Sequence, residues 1–431
     1  MRVALYEDRQ ATAFGPLTML RPVFELICGR YALRERLLRD AQDCEWGAVI
    51  REPLVEAYRE DQPAAHVNDR NWLTQADTLL VNGRWIPERT RDWRSIRNGD
   101  VAICDGEPVC LLAERDELCQ WSDITDETYL QRIARKRRVK EVGGRVVNRP
   151  WDLIAANAGQ LVRDYEFPQV RSSLACDDPR IAVLGDPQQL SVHPSADLDP
   201  FVVLDVRQGP ITVDAEVRMQ SFTRIAGPCF VGRRTQLLQA VVRPGTTIGP
   251  DCRVSGEVQQ SVLHGFVNKS HDGYLGHSYV CPWVNLGAGT TNSDLKNDYS
   301  TVGVPIAGAC VDSRQVKLGA FIGDHVKTGL GSLFNTGSSI GICAMILPAG
   351  RLLPKCVPPF CRVWHGDLVD SWELERTLET ARTAMRRRGQ QLTPTYAELL
   401  RRLFAETWSE RKRGIDDARR RAMDHGLRRA G

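Results

Sequence analysis

The densest run of reactive side chains in this 431-residue chain lies between His264 and Lys296, HGFVNKSHDGYLGHSYVCPWVNLGAGTTNSDLK. An imidazole titrates near neutrality and can take a proton from an attacking nucleophile. A backbone N–H flanked by glycines, as at Gly287-Ala288-Gly289, can reach a developing oxyanion with no side chain in the way. His264, His271 and His277 also raise the question of zinc. Their intervals of seven and six residues set them on successive faces of a coil instead of one above another, which argues against a shared metal.

The elements that must position these groups are extended. From about residue 180, branched apolar residues recur at intervals near six with Gly, Pro and Asp between them. Examples are Val192, Val203, Ile211, Val217, Ile225, Val231, Val241, Ile248 and Val254, then Ile322, Leu330, Ile340 and Ile346. One inward aliphatic residue per hexad, with three hexads to a turn of ~18 residues, marks a parallel β-helix whose aliphatic residues stack into interior ladders. A β-sandwich would show longer apolar/polar alternation between turns. The repeat breaks between Asn292 and Val316, which predicts a loop projecting from the coil.

Residues 1 to about 165 read as mixed α/β. Strands are expected at Val3–Tyr6, Gly47–Ile50, Thr78–Val81 and Asp100–Ile103, and helices at Tyr31–Ala41 and Asp123–Lys140. Strands alternating with helices predict a largely parallel sheet. After Trp364-His365-Gly366 the chain turns rich in Arg, Glu, Leu and Ala, and Pro394 divides two helical stretches, the second with a stripe of Leu399, Leu400 and Leu403. The expected divisions are an α/β domain at 1–165, a β-helix at 180–365 and an Arg-rich helical tail at 367–431.

Composition narrows the function classes. A hydrophobic share of 42% and a charged share of 26% fit a globular protein rather than a disordered one. A formal net charge of +3 gives no strong field toward nucleic acid or membrane. The first residues reach Glu7 and Asp8 before any long apolar run, unlike a secretory signal, and no 18 apolar residues run unbroken. Thirteen cysteines without a C-x-x-C pair predict buried free thiols in a reducing cytoplasm.

His271-Asp272-Gly273-Tyr274-Leu275-Gly276 followed by Asn285-Leu286-Gly287-Ala288-Gly289-Thr290 resembles the paired motif of the acetyltransferase domain of the GlmU family. Both motif and spacing match, and the resemblance covers roughly residues 180 to 365. The segment Lys317–Gly329 resembles archaeal-type members. The resemblance implies a left-handed β-helix of the hexapeptide-repeat class and a homotrimer with active sites between subunits. It also implies acetyl-CoA as co-substrate and N-acetylation of a glucosamine-1-phosphate-type sugar, with His271 as general base and Ala288 supplying an oxyanion N–H. Tyr274 and Asn285 match positions that hold the sugar phosphate. Arg243 resembles the family's phosphate-binding arginine at an interval altered by two residues, and Lys296 a lysine from the projecting loop. Two departures touch the acceptor: Gln259 stands near an expected lysine, and Asp294 where an asparagine is expected.

Pro16-Leu17-Thr18-Met19-Leu20-Arg21-Pro22 through Leu37 resembles the start of sugar nucleotidyltransferases. There a Gly-rich loop cradles a triphosphate, but this chain has Glu7-Asp8-Arg9-Gln10-Ala11-Thr12-Ala13-Phe14-Gly15, with two carboxylates that would repel phosphate. Asn82-Gly83-Arg84 carries Arg where the family's magnesium-binding Asp belongs, and Arg cannot ligate a hard cation. Either the site is rebuilt, with Asp8 or Asp105 toward Mg2+ and Arg9 or Arg21 toward phosphate, or the domain only binds nucleotide or is inert. The leading expectation is a cytoplasmic amino-sugar-phosphate acetyltransferase with a second nucleotidyl transfer of the UDP-N-acetylglucosamine diphosphorylase type. The alternatives are a nucleotidyltransferase with a structural or regulatory β-helix, and a non-catalytic sugar-nucleotide-binding scaffold.

Overall fold

The computed structural model describes residues 2–41, 44–89, 92–121, 123, 126–166, 178–370 and 373–429. The chain divides into two compact units. The first comprises Met1–Phe14, Leu20–Ile27 and Tyr31–Asp152, and the second Gly15–Met19, Cys28–Arg30 and Leu153–Gly431.

The first unit is built on a seven-stranded sheet. Its order is Arg138–Glu141, Asp100–Cys104, Glu107–Ala113, Thr78–Asn82, Arg2–Tyr6, Glu45–Val49 and His66–Val67. All neighbours pair parallel except Glu107–Ala113, which runs antiparallel to both of its partners. Every residue of Thr78–Asn82 is buried, the near-continuous apolar pattern of a strand covered on both faces. The expected helix over Asp123–Lys140 is corrected. The helix is only Glu127–Ala134, and Arg138–Glu141 is an edge strand paired with Asp100–Ile103. Charged residues read as helical there because an edge strand also tolerates them.

The second unit is the coil. Three parallel sheets form its faces, beginning at Ala182–Leu184, Leu190–Val192 and Asp197–Leu198. Ile211 aligns with Cys229 and Cys229 with Thr246, steps of 18 and 17 residues. The interior is one aliphatic cluster that includes Ile211, Ile225, Val254 and Ile340. Three expected ladder residues fall elsewhere. Val203 and Val241 are only half-buried, while Leu204 and Val242 point inward, since a shift of one residue turns every side chain to the opposite face. Leu330 is 74% exposed.

The break in the repeat is an insertion. Tyr279 pairs with Phe321, 42 residues on, and the intervening chain projects a hairpin of Gly303–Ile306 with Ala309–Asp312. Beyond the coil lie helices Leu374–Arg386, Pro394–Glu406 and Trp408–Arg429. Leu399, Leu400 and Leu403 are buried, and Ile415 joins the coil's core cluster. Sequence reasoning missed the helix Pro150–Tyr165. From it, Asn157 Nδ2 donates to Gly245 O at 2.9 Å and Thr247 Oγ1 at 3.0 Å on the coil. Cys176 lies outside the described residues; the other cysteines are free thiols, most of them buried as expected, but Cys119, Cys310 and Cys356 are exposed. Among the described residues no helix is long and apolar enough to cross a membrane.

Candidate functional site

His271 stands at a corner of the coil, between strands Asn268–Lys269 and Tyr274–Gly276. The turn is held from inside. Lys269 is 2% exposed, and its ammonium donates to Ser255 O at 2.7 Å, Gly273 O at 2.7 Å and His271 O at 3.2 Å. Burial pushes that ammonium down to about 8. Gly273 is required here: it has φ 137°, and a Cβ would meet Thr290 O of the next coil at 2.0 Å. Outside this anchored backbone the His271 imidazole is exposed, with no hydrogen-bond partner among the described residues.

The Gly287-Ala288-Gly289 corner lies beside it, because Gly289 N–H donates to Asp272 O at 3.0 Å. Gly287 N–H donates to Thr328 Oγ1 at 3.0 Å. Between these two satisfied donors, the Ala288 N–H has no acceptor among the described residues. A Cβ at Gly287 would come within 2.7 Å of the Gly329 backbone, so the close approach of the two coils also demands glycine.

Arg243, Gln259, Tyr274 and Asp294 meet on the face that follows His271. Tyr274 Oη lies 2.6 Å from Asp294 Oδ2 and 3.2 Å from Gln259 Oε1. His277 Nδ1 lies 2.7 Å from the same Asp294 oxygen. Burial pushes the Tyr274 hydroxyl upward, and the hydrogen bond and negative charge of Asp294 add to it. Burial alone would raise Asp294, but hydrogen bonds from His277 and Tyr274 outweigh it and hold the carboxyl below its ordinary value. Arg243 pairs with Glu257, which aligns with Tyr274 in the sheet.

Two of the expected residues lie apart from this group. Asn285 sits on the third face and accepts from Asn268 Nδ2 at 2.7 Å. Lys296 bends back on its own loop, to Ser300 Oγ at 3.1 Å and the Thr301 carbonyl. The residues that sequence reasoning missed are Lys269 and the tie between His277 and Asp294. The only hint was a lysine in a hexad otherwise apolar inside. Among the described residues no three His, Cys, Asp or Glu side chains gather in a way that could hold a metal.

The first unit accounts for its unusual carboxylates. Glu7 takes Arg51 at 3.0 Å and the Val23 N–H at 2.7 Å. Asp8 takes Arg84 at 2.5 Å and Asn82 Nδ2 at 2.8 Å, while Arg84 also donates to Val147 O at 2.8 Å and Asn148 Oδ1 at 2.6 Å. Each carboxylate therefore has its own guanidinium, which corrects the expectation of two charges free to repel phosphate. The same pairing does not fit Mg2+, because Arg84 fills the space at Asp8 with a fixed cation. Asp105 accepts the Val146 N–H at 3.0 Å. Arg9 is exposed at the start of the short helix Arg9–Phe14, and Arg21 contributes its carbonyl to Arg51 Nη2 at 3.3 Å.

Residues 3–172 match the family described as sugar nucleotidyl transferase. The chain is similar to a "Bifunctional sugar-1-phosphate nucleotidylyltransferase/acetyltransferase" of Sulfurisphaera tokodaii, 40% identical over 94 residues, which are 22% of this chain and 23% of the relative. It is 35% identical over 109 residues to a "Bifunctional protein GlmU" of Methanococcus maripaludis, covering 25% and 26% of the two chains. A protein of the same description from Methanococcus vannielii is 32% identical over 130 residues, 30% and 31%. The chain spans 23% to 31% of the length of these curated relatives. The chain is thus similar to GlmU-type bifunctional proteins over part of its length, and residues 3–172 match the sugar nucleotidyl transferase family.

Proposed function

We propose that the coil catalyses acetyl-CoA-dependent N-acetylation of an amino-sugar phosphate of the glucosamine-1-phosphate type. The observation that carries this reading is the unpartnered Ala288 N–H beside the anchored His271 corner. A backbone donor left open between two satisfied ones is what a developing oxyanion needs, and it requires no rearrangement when the charge forms. The amine nitrogen attacks the thioester carbonyl carbon, and the C–N bond forms as negative charge moves to the oxygen facing Ala288. His271 accepts the amine proton. The C–S bond then breaks, and the departing thiolate of coenzyme A takes the proton back from the imidazolium.

Arg243 and Tyr274 are proposed to hold the sugar phosphate, with Asn285 and Lys296 completing the site from a neighbouring copy in a homotrimer. Asp294 replaces the expected amide with a carboxylate beside Tyr274, which can accept a hydrogen bond from the neutral amine of the acceptor. The first unit is proposed to bind a sugar nucleotide and to serve uridylyl transfer, with Arg9 and Arg21 toward phosphate. Glu7 and Asp8, each neutralised by Arg51 or Arg84, leave room for phosphate at Arg9 and Arg21, and no step is routed through magnesium. We place the protein in the cytoplasm on its many free thiols.

The test is free-thiol release from acetyl-CoA with glucosamine-1-phosphate, for wild type and His271→Ala together. Release that needs both the sugar and His271 is expected. Release undiminished in His271→Ala would refute the assignment of the base.

A further inference from the structure

A cavity of about 690 Å³ opens between the third face of the coil and helix Leu374–Arg386, within the second unit. Its charge is one-sided. Arg253, Lys327, Arg387 and Arg388 line it; Arg388 reaches Asp251 O at 3.5 Å, and among the described residues neither Arg253 nor Arg387 has a side-chain partner. Among the described residues Lys327 donates to one acceptor, the Trp283 carbonyl, and leaves its other two N–H groups unmatched. Burial pushes its ammonium down to about 8. The one acid on the rim, Glu379, is taken by Arg382 and Thr383.

Arg387, at the end of its helix, also answers the helix dipole. That does not account for Arg253 and Lys327, which stand on the coil. Four cations around one cavity repel one another unless an anion sits among them. On the coil, beside Lys327, Phe266 and Trp283 add an apolar surface, their ring centroids 4.2 Å apart. The volume is within the range of small-molecule sites.

We infer that this cavity binds a nucleoside diphosphate group, with the phosphates on Arg253, Lys327 and Arg387 and the nucleoside against the Phe266–Trp283 wall. Two sources share that chemistry, the nucleotide end of coenzyme A and a sugar nucleotide. The site shares only Asn285 with the proposed acetyl-transfer site.

The test is isothermal titration of the full chain with coenzyme A, UDP and inorganic pyrophosphate, for wild type, Lys327→Met and Arg387→Ser. Arg387 is exposed just past the end of its helix, so Arg387→Ser keeps the test decisive should Lys327→Met fold poorly. Each variant is expected to weaken nucleotide binding at least tenfold, about 1.4 kcal/mol, and added salt to weaken wild type further. Of the binding that the variants weaken, a tighter coenzyme A component assigns the cavity to the acyl donor, and a tighter UDP component to a sugar nucleotide. Both outcomes support the inference. Pyrophosphate binding as tightly as UDP, nucleotide binding unchanged in both variants, or no binding at millimolar concentration would overturn it. Because no turnover is read, this result is independent of thiol release.

Discussion

Replacing Lys269 by Met removes the ammonium that ties the His271 turn to the coil before it. Its two shorter contacts, at 2.7 Å to Ser255 O and Gly273 O, are worth about 1.5–3 kcal/mol each as charged hydrogen bonds. Against them stands the cost of burying the charge. A fall from the ordinary 10.5 to about 8 corresponds to about 3 kcal/mol. The wild type should therefore lead the variant by only about 0–3 kcal/mol at pH 7. The difference then depends on pH. The folded-state pKa lies below the unfolded one, so between about pH 8 and 10.5 the unfolded chain holds a proton that the folded chain has released. Stability rises with pH across that window. Methionine does not titrate, so the lead of wild type should widen by about 3 kcal/mol on going from pH 7 to pH 10.5. Urea unfolding of both proteins at several pH values, followed by tryptophan fluorescence, measures the difference, and titrations common to both cancel. A difference that stays flat or narrows with rising pH would show that the ammonium is not desolvated, and the anchoring argument would fail with it.

Gly273→Ala should lose roughly 2–4 kcal/mol, from its φ of 137° and the 2.0 Å approach to Thr290 O. Gly331→Ala, with φ 62° and nothing within 4 Å, should lose only about 1 kcal/mol. Equal denaturant midpoints for the two variants would contradict this. Arg84→Met leaves the half-buried Asp8 carboxylate without its counter-ion and should cost about 3–5 kcal/mol, read as a lowered thermal midpoint. Asp294→Asn addresses the other end of the pH scale. The folded Asp294 carboxyl lies below its ordinary 3.8, so its contribution is complete above that value and is lost as pH falls through the folded pKa. The variant should show a shallower loss of stability on acidification, and a profile parallel to wild type would count against the Tyr274–Asp294–His277 cluster.

Much of the fold was legible because it is local. The hexad rhythm from about residue 180 follows from one inward aliphatic residue per short strand, and a stacked coil satisfies that pattern turn after turn. The insertion after Asn292 showed as a loss of the same rhythm. Phase was harder to read. Val203-Leu204 and Val241-Val242 offer two apolar neighbours each, and only the pairing with adjacent coils decides which one faces in. The strand Arg138–Glu141 carries charge on both sides because it is an edge, so neither period marks it.

By itself the sequence shows which groups are present: the paired motif carrying His271, Tyr274, Asn285 and Ala288, and Arg84 where the resemblance leads one to expect a metal-binding Asp. Tertiary structure decided what each group is free to do. Lys269 becomes an internal anchor because its acceptors come partly from residue 255, one coil away. Glu7 and Asp8 cease to be free anions because Arg51 and Arg84, far along the chain, fold back onto them. Ala288 keeps an open N–H because neighbouring coils satisfy Gly287 and Gly289 but not the residue between. The physical reason is common to all three. Burial, charge pairing and hydrogen-bond satisfaction depend on partners brought close by folding, and those partners leave no periodic trace in the residues they serve.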